Sequence, residues 1–371
     1  MFSCSFPLSL AMLRVKYLTV SALLVGFAID QVASCSTIAV GRLASADGSV
    51  YTSHSDDGEG NPDPRIVHVL AADHPKGAMR PIYPDLEDFP RHIGANRSQS
   101  YAPGAYPKGA SQKNTEPIGF VPEVSHTFAY WDTNYAVMNE HNLHIGESTC
   151  SGVFGTSARG SKGVALFSIN ELSRLALSRC KTALCAVKTM GAFAEEHGFY
   201  GAGSFEGTAE SLLVGDTQEV WVFHILPDSR KGGSAIWVAQ RVPDDHVTGV
   251  FNMFTIREVD LTDTKNFLGS SNMHSIAIAN HLWDGKGKLD FTKTFSDGEY
   301  AHKYYSGRRF WGAMRLVAPS LNLSATYGNL KEDNPYPWSV TPQALNPNPN
   351  TLSVKPDSYR PIHGLIQPHS T

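Results

Sequence analysis

Residues 31–49 read QVASCSTIAVGRLASADGS, with the cysteine at position 35. Upstream, Arg14 and Lys16 precede an apolar run from Tyr17 to Ile29, and Val32, Ala33 and Ser34 lead up to Cys35. A basic start, an apolar run and small residues before the cut are the order of a secretory signal. The run is shorter than the about 20 residues a membrane-spanning helix needs. Cleavage between Ser34 and Cys35 would leave Cys35 as the new N-terminus, carrying both a thiol and a free α-amine. An ionised thiol is a strong nucleophile, and an α-amine with a pKa near ~8 can take its proton. V-A-S-C also fits a lipobox, whose cysteine is lipidated and whose amine is then acylated. Acylation would remove that base.

Outward from Cys35, the run Ser36 to Val40 and the run from Val50 to His54 flank A-D-G-S at 46–49. They read as a hairpin that starts at the cysteine. Residues 58–126 are rich in Gly, Pro, Asp and His and read as irregular covering structure. Thr127 to Met138 and Leu143 to Gly146 suggest strands around N-E-H-N. Ser168-x-x-Glu171 is a capping box. It opens a helix whose apolar positions Leu172, Leu175, Ala176, Leu184, Val187 and Met190 recur at helical spacing. Ser211 to Val214 and Val220 to Ile225 form a second hairpin around G-D-T-Q-E. Ala235 to Val242 is a further strand, and 297–317 a second amphipathic helix. Strands with intervening helices predict a layered mixed α/β or α+β fold. From Asn329 the chain is Pro- and Asn-rich. The expected domains are a signal peptide at 1–34, one folded domain at 35–328 and an extended, Pro- and Asn-rich tail at 329–371.

The 371 residues, 42% hydrophobic, suffice for a large core. The net charge of −4 gives no basic face, so nucleic acid is not an expected partner. The five cysteines are too few for a disulfide scaffold. On one continuous helix Cys180 and Cys185 would point about 140° apart, so they are not expected to pair with each other; a bridge from Cys150 to one of them and buried free thiols both stay open. Sequons at Asn96 and Asn322 accord with export. His54, His68, His74 and His92 match no metal-ligand spacing, so neither a metal nor another cofactor is expected.

The segment at 35–49 resembles the mature N-terminus of the PepD-type dipeptidase family, which includes the secernins. These resemble cysteine N-terminal nucleophile hydrolases. Further blocks fit in order: VMNEHNLHIGESTC at 137–150, ELSRLALSRCKTA at 171–183, GFYG at 198–201 and ESLLVGDTQEVWVFHI at 210–225. WVAQRVPDDHV at 237–247 and NMFTIREVD at 252–260 complete the set. The resemblance implies a four-layer αββα sandwich, an α+β fold of the N-terminal nucleophile hydrolase type. It also implies hydrolysis of dipeptides or short peptides. Family members usually continue beyond the SVKPD segment at 353–357, so the C-terminus reads as short for the family.

On that resemblance Asp57 falls where the family's aspartate orients the charged α-amine, with Asp56 as its neighbouring competitor. His54 stands where bacterial relatives commonly have Arg. Asn252 matches the Asn that related hydrolases use as an oxyanion donor. Asn139 is a weaker candidate for that role, beside a backbone N–H near Ser148 or Thr149. Arg257 and Arg241 could hold a substrate carboxylate through a bidentate pair. The expected chemistry is attack by Cys35 sulfur, a thioester, and release by water. An amidase of another acyl amide on the same scaffold, and a non-catalytic secreted relative, remain alternatives. The expected location is the secretory pathway: secreted, or the lumen of a lysosome-like or vacuolar compartment, without stable membrane insertion after cleavage. A homo-oligomer stays open.

Overall fold

The computed structural model describes residues 35–56, 63–86, 97–101, 115–135, 137–202, 207–299, 303–321 and 353–356. The leader, Asp57, the sequon residues Asn96 and Asn322, and most of the tail lie outside them. The expected hairpin forms: β1 (Ser36–Val40) pairs antiparallel with β2 (Tyr51–Ser55), with Ser36 opposite Ser55. Short strands follow: β3 (Val67–Val69), β4 (Ala72–Asp73), β5 (Met79–Ile82), β6 (Gly119–Pro122), β7 (His126–Thr127), β8 (Tyr130–Asp132) and β9 (Met138–Asn139). The stretch read as irregular therefore carries strands. They are too short for an alternation to register in the sequence.

Longer elements come next. They are β10 (His144–Cys150), α1 (Ile169–Arg179), α2 (Ala183–His197), β11 (Ala209–Gly215), β12 (Val220–Pro227), β13 (Ala235–Val242) and β14 (Val247–Val250). The chain continues through β15 (Phe267–Gly269), α3 (Met273–Ala279), α4 (Phe291–Phe295), a π-helical turn at Lys303–Gly307, α5 (Arg308–Val317) and β16 (Ser353–Val354).

Two large antiparallel sheets result. One has the order β16-β14-β1-β2, the other β15-β13-β12-β11-β10-β9-β8-β3. β1 and β2 contact β10 and β11, so the hairpin faces the larger sheet. Close approach needs Gly146 in β10. A Cβ there would collide with Thr37 Oγ1 and the Ser53 carbonyl. α1 and α2 pack against each other, and α2 lies on β11, β12 and β13. The core between them includes Leu172, Leu175, Phe167, Phe223 and Trp237. Between the sheets Ala39, Leu213, Val222, Val250 and Phe254 are buried together. α5 contacts β14 and sets Phe310 and Met314 against Phe251 and Met253. No helix among the described residues is long and apolar enough to cross a membrane.

The long helix expected from Ser168 onward is two helices. Ser168 caps α1, its hydroxyl accepting from Glu171 N–H at 3.4 Å. The Glu171 carboxylate does not return the bond. It accepts from Arg97 at 2.6 and 3.0 Å and from Arg174 at 3.3 Å. α1 ends at Cys180, which is extended, and Thr182 caps α2 through Cys185 N–H. The break voids the 100° per residue arithmetic of a continuous helix. Cys180 and Cys185 lie 5.6 Å apart at Cα and form a disulfide, against expectation. Among the described residues the second amphipathic helix is a π-turn at Lys303–Gly307 that runs into α5. β16 lies within the stretch read as a tail and pairs with β14, so the smaller sheet draws on residues beyond 328.

Candidate active site

Cys35 immediately precedes β1 and is 5% exposed. The Ser36–Ser55 register places Asp56, just past β2, opposite it. The Cys35 thiol faces Asp56 Oδ1 at 3.9 Å, and Asn134 donates to Asp56 Oδ2 at 3.3 Å. Asp56, the competitor of Asp57, thus reaches the sulfur.

Asn252 follows β14 with φ 53°, in the left-handed region that Asn tolerates better than most residues. This turn drives its groups inward. Its N–H donates to Ser148 Oγ at 2.8 Å, and Nδ2 donates to the Thr149 carbonyl at 2.7 Å. Its carbonyl accepts from Ser306 Oγ at 3.1 Å. One Nδ2 proton is thereby committed to the fold, and the amide retains a second.

Arg309 of α5 binds this cluster together. Nη1 donates to the Cys35 carbonyl at 2.7 Å and to Ser36 Oγ at 3.0 Å. Nη2 donates to the Phe251 carbonyl at 3.1 Å and to Asn252 Oδ1 at 2.8 Å. Its guanidinium also lies 4.6 Å from the centre of the Tyr305 ring. Burial pushes the Tyr305 phenol up, the Arg309 charge opposes this and the Cys35 side chain adds to it, so the phenol stays protonated. The sequence reading missed Arg309. Its only trace was a basic residue on the polar side of an amphipathic helix.

His54, on β2, stacks edge-on against Tyr135 with ring centres 5.4 Å apart. Its Nε2 lies 3.4 Å from Glu147 Oε2. Neither atom has a hydrogen-bond partner, although Thr149 Oγ1 donates to Glu147 Oε1 at 2.9 Å. One donor atom each from Cys35, His54 and Glu147 lies within 4.8 Å of the others. The expectation of no metal site rested on histidine spacing along the chain. It could not see a trio assembled from the residue before β1, from β2 and from β10.

Three expected residues are engaged elsewhere. Asn139 Nδ2 donates to the Leu177 and Cys180 carbonyls, both at 2.8 Å, and its Oδ1 accepts from His141 and Leu143 N–H. Its amide is saturated by a turn and by the end of α1, which leaves nothing for an oxyanion. Arg257 is 5% exposed and its Nε is held by both oxygens of Asp290, at 3.0 and 2.8 Å. Arg241 pairs with Glu219 and Asp244. Both arginines are engaged in these ion pairs.

Behind the site runs a buried polar chain. His224 Nε2 accepts from Thr255 N–H at 2.9 Å and Ile256 N–H at 3.2 Å, so the ring proton sits on Nδ1. Nδ1 donates to Ser211 Oγ at 2.6 Å, and that hydroxyl meets Cys150 Sγ at 3.0 Å. The Cys150 thiol donates to the Ser148 carbonyl. Burial lowers the His224 pKa to about 3 and pushes the Cys150 thiol up, so both groups stay neutral. The chain ties β10 to the segment after Asn252.

Residues 34–345 match the model of peptidase family C69. A probable dipeptidase of Salmonella dublin is 25% identical over 88% of this chain and 66% of its own length. Dipeptidase A of Lactobacillus helveticus is 24% identical over 75% of this chain and 52% of its own. A dipeptidase of Bifidobacterium longum is 28% identical over 77% and 51%. The chain spans about half to two thirds of the length of these relatives. A match over most of the residues from Cys35 onward, on the fold that assembles Cys35, Asp56, Asn252 and Arg309, places the chain in peptidase family C69.

Proposed function

We propose that the chain is a cysteine N-terminal nucleophile hydrolase that cleaves dipeptides or short peptides. The observation that carries this reading is the position of Cys35. It heads the first strand with a buried thiol beside Asp56 and a carbonyl held by Arg309. Signal cleavage after Ser34 creates the α-amine, so export and activation are one event. The Cys180–Cys185 disulfide accords with an oxidising compartment. Packing of α2 on the larger sheet, of that sheet on β1 and β2, and of α5 on β14 supports the αββα order of layers.

In the reaction the α-amine takes the Cys35 S–H proton and the sulfur attacks the amide carbonyl carbon. The C=O π electrons move to oxygen, where the second Nδ2 proton of Asn252 meets the developing charge. One such donor contributes about 3–4 kcal/mol in comparable enzymes. The intermediate collapses, the C–N bond breaks, and the ammonium returns its proton to the leaving amine. Water then attacks the thioester. Its proton passes through the amine to the departing sulfur, which restores the thiol and frees the acid. Asp56, or Asp57 beyond it, holds the ammonium in place. Arg309 fixes the Cys35 backbone and the Asn252 amide relative to each other.

The test is hydrolysis of a panel of dipeptides by protein that begins at Cys35, beside its Cys35→Ala variant. Turnover by the first and none by the second supports the reading. Equal rates refute the nucleophile, and no turnover by either refutes the substrate class.

A further inference from the structure

Glu147 is 1% exposed, and its Oε2 faces His54 Nε2 at ion-pair distance while neither atom makes a hydrogen bond. Both residues can offer a ligand atom to one region. The two atoms lie 3.4 Å apart without a hydrogen bond between them. Two ligands about 2.0–2.1 Å from a tetrahedral zinc-class ion sit about 3.3–3.4 Å apart, which is the spacing found. The third donor is the Cys35 sulfur, within 4.8 Å of both. A sulfur–zinc bond of about 2.3 Å requires it to draw in by roughly 1 Å, within reach of a small χ1 change. A Cys–His–Glu proton relay would need the two ring nitrogens of His54 to face opposite partners. Here a single donor nitrogen lies near both the carboxylate and the sulfur.

We propose that Cys35, His54 and Glu147 form a site for a thiophilic divalent cation of the zinc class, which reversibly holds the hydrolase off. Binding converts the thiol to a metal thiolate and releases one proton to water. The sulfur lone pair that would attack a carbonyl is then shared with the ion. Chelation of the ion returns the thiol. The inhibitory half of this inference rests on the hydrolase reading, whereas the binding half does not.

The experiment uses the full chain, stripped with a chelator and titrated with Co²⁺. The expected result is one equivalent bound with a thiolate-to-cobalt charge-transfer band in the near ultraviolet. Cys35→Ser, which is close to isosteric, abolishes the band. Glu147→Gln and His54→Gln each weaken binding by more than about tenfold, since even outer-shell losses cost 10–100-fold. Absence of the band, or an affinity indifferent to both variants, overturns the site. In protein starting at Cys35, Zn²⁺ stops dipeptide turnover and a chelator restores it. Turnover unaffected at saturating Zn²⁺ overturns the inhibitory half. A chelated protein with no turnover at all counts against the hydrolase reading, and the cobalt band still decides the site.

Discussion

At the residue scale, Arg309 has the most demanding task near Cys35. Its two terminal nitrogens serve four acceptors: the Cys35 and Phe251 carbonyls, Ser36 Oγ and Asn252 Oδ1. A lysine keeps the charge but is a point donor without the planar fork. Arg309→Lys is expected to leave the fold intact and lower kcat/KM by about 10²-fold, as misplacement of reacting groups by about 1 Å does. An unchanged kcat/KM in steady-state assays would remove Arg309 from the account. His224 makes a prediction about pH. Its ring is neutral in the fold, with a pKa lowered by burial to about 3, and in the unfolded chain it titrates near 6.5. The unfolded state therefore binds more protons between those values, and stability falls as pH drops from about 6.5 towards 3. The slope is about 1.4 kcal/mol per pH unit from this one group. Denaturant melts of the wild type and His224→Gln across pH 7 to 4 check this. The variant is less stable at pH 7 but shows the shallower decline.

At the scale of elements, α1 is held by buried charge as much as by its apolar face. Glu171 is buried between Arg97 and Arg174, and Arg174 reaches Asp132 at 2.9 Å. Burial pushes the Glu171 carboxyl up, but the two arginines outweigh it, so it stays ionised. Glu171→Gln leaves those cations short of an anion. It is expected to cost about 3–5 kcal/mol, read from the shift of the urea midpoint. The Glu171 network was hidden in the sequence for a definite reason. A Ser168-x-x-Glu171 pattern looks like a capping box whether its glutamate turns back to the cap or outward to an arginine 74 residues away. Likewise the apolar spacing from Leu172 to Met190 runs on through a helix break. Both helices bury one face against the same sheet, so the periodicity alone cannot mark the extended Cys180. The hairpins around A-D-G-S and G-D-T-Q-E were legible, because turn chemistry between apolar runs is a local signal.

At the scale of the molecule, the candidate site is assembled from remote parts of the chain. Cys35 could be read directly, since a basic start, an apolar run and small residues precede it in the sequence. Asn252 came from a block resembling related hydrolases, and its left-handed backbone explains why an Asn stands there. The partnership of Cys35 with Arg309 spans 274 positions, and that of His54 with Glu147 joins strands of different sheets. No local spacing encodes such contacts. Asn139 and Arg257 show the converse. Their residue types suit catalysis, but the fold saturates the amide of the one with carbonyls and N–H groups and pairs Nε of the other with Asp290. The central claim is that the cleaved N-terminus supplies the base. It is tested most directly by comparing dipeptide hydrolysis by protein beginning at Cys35 with protein beginning at Ser34. The single added residue leaves the thiol and the sheet in place but turns the amine into an amide. The account predicts a loss of about 10²–10⁴-fold, the usual contribution of a positioned base. Equal rates from the two forms would contradict it.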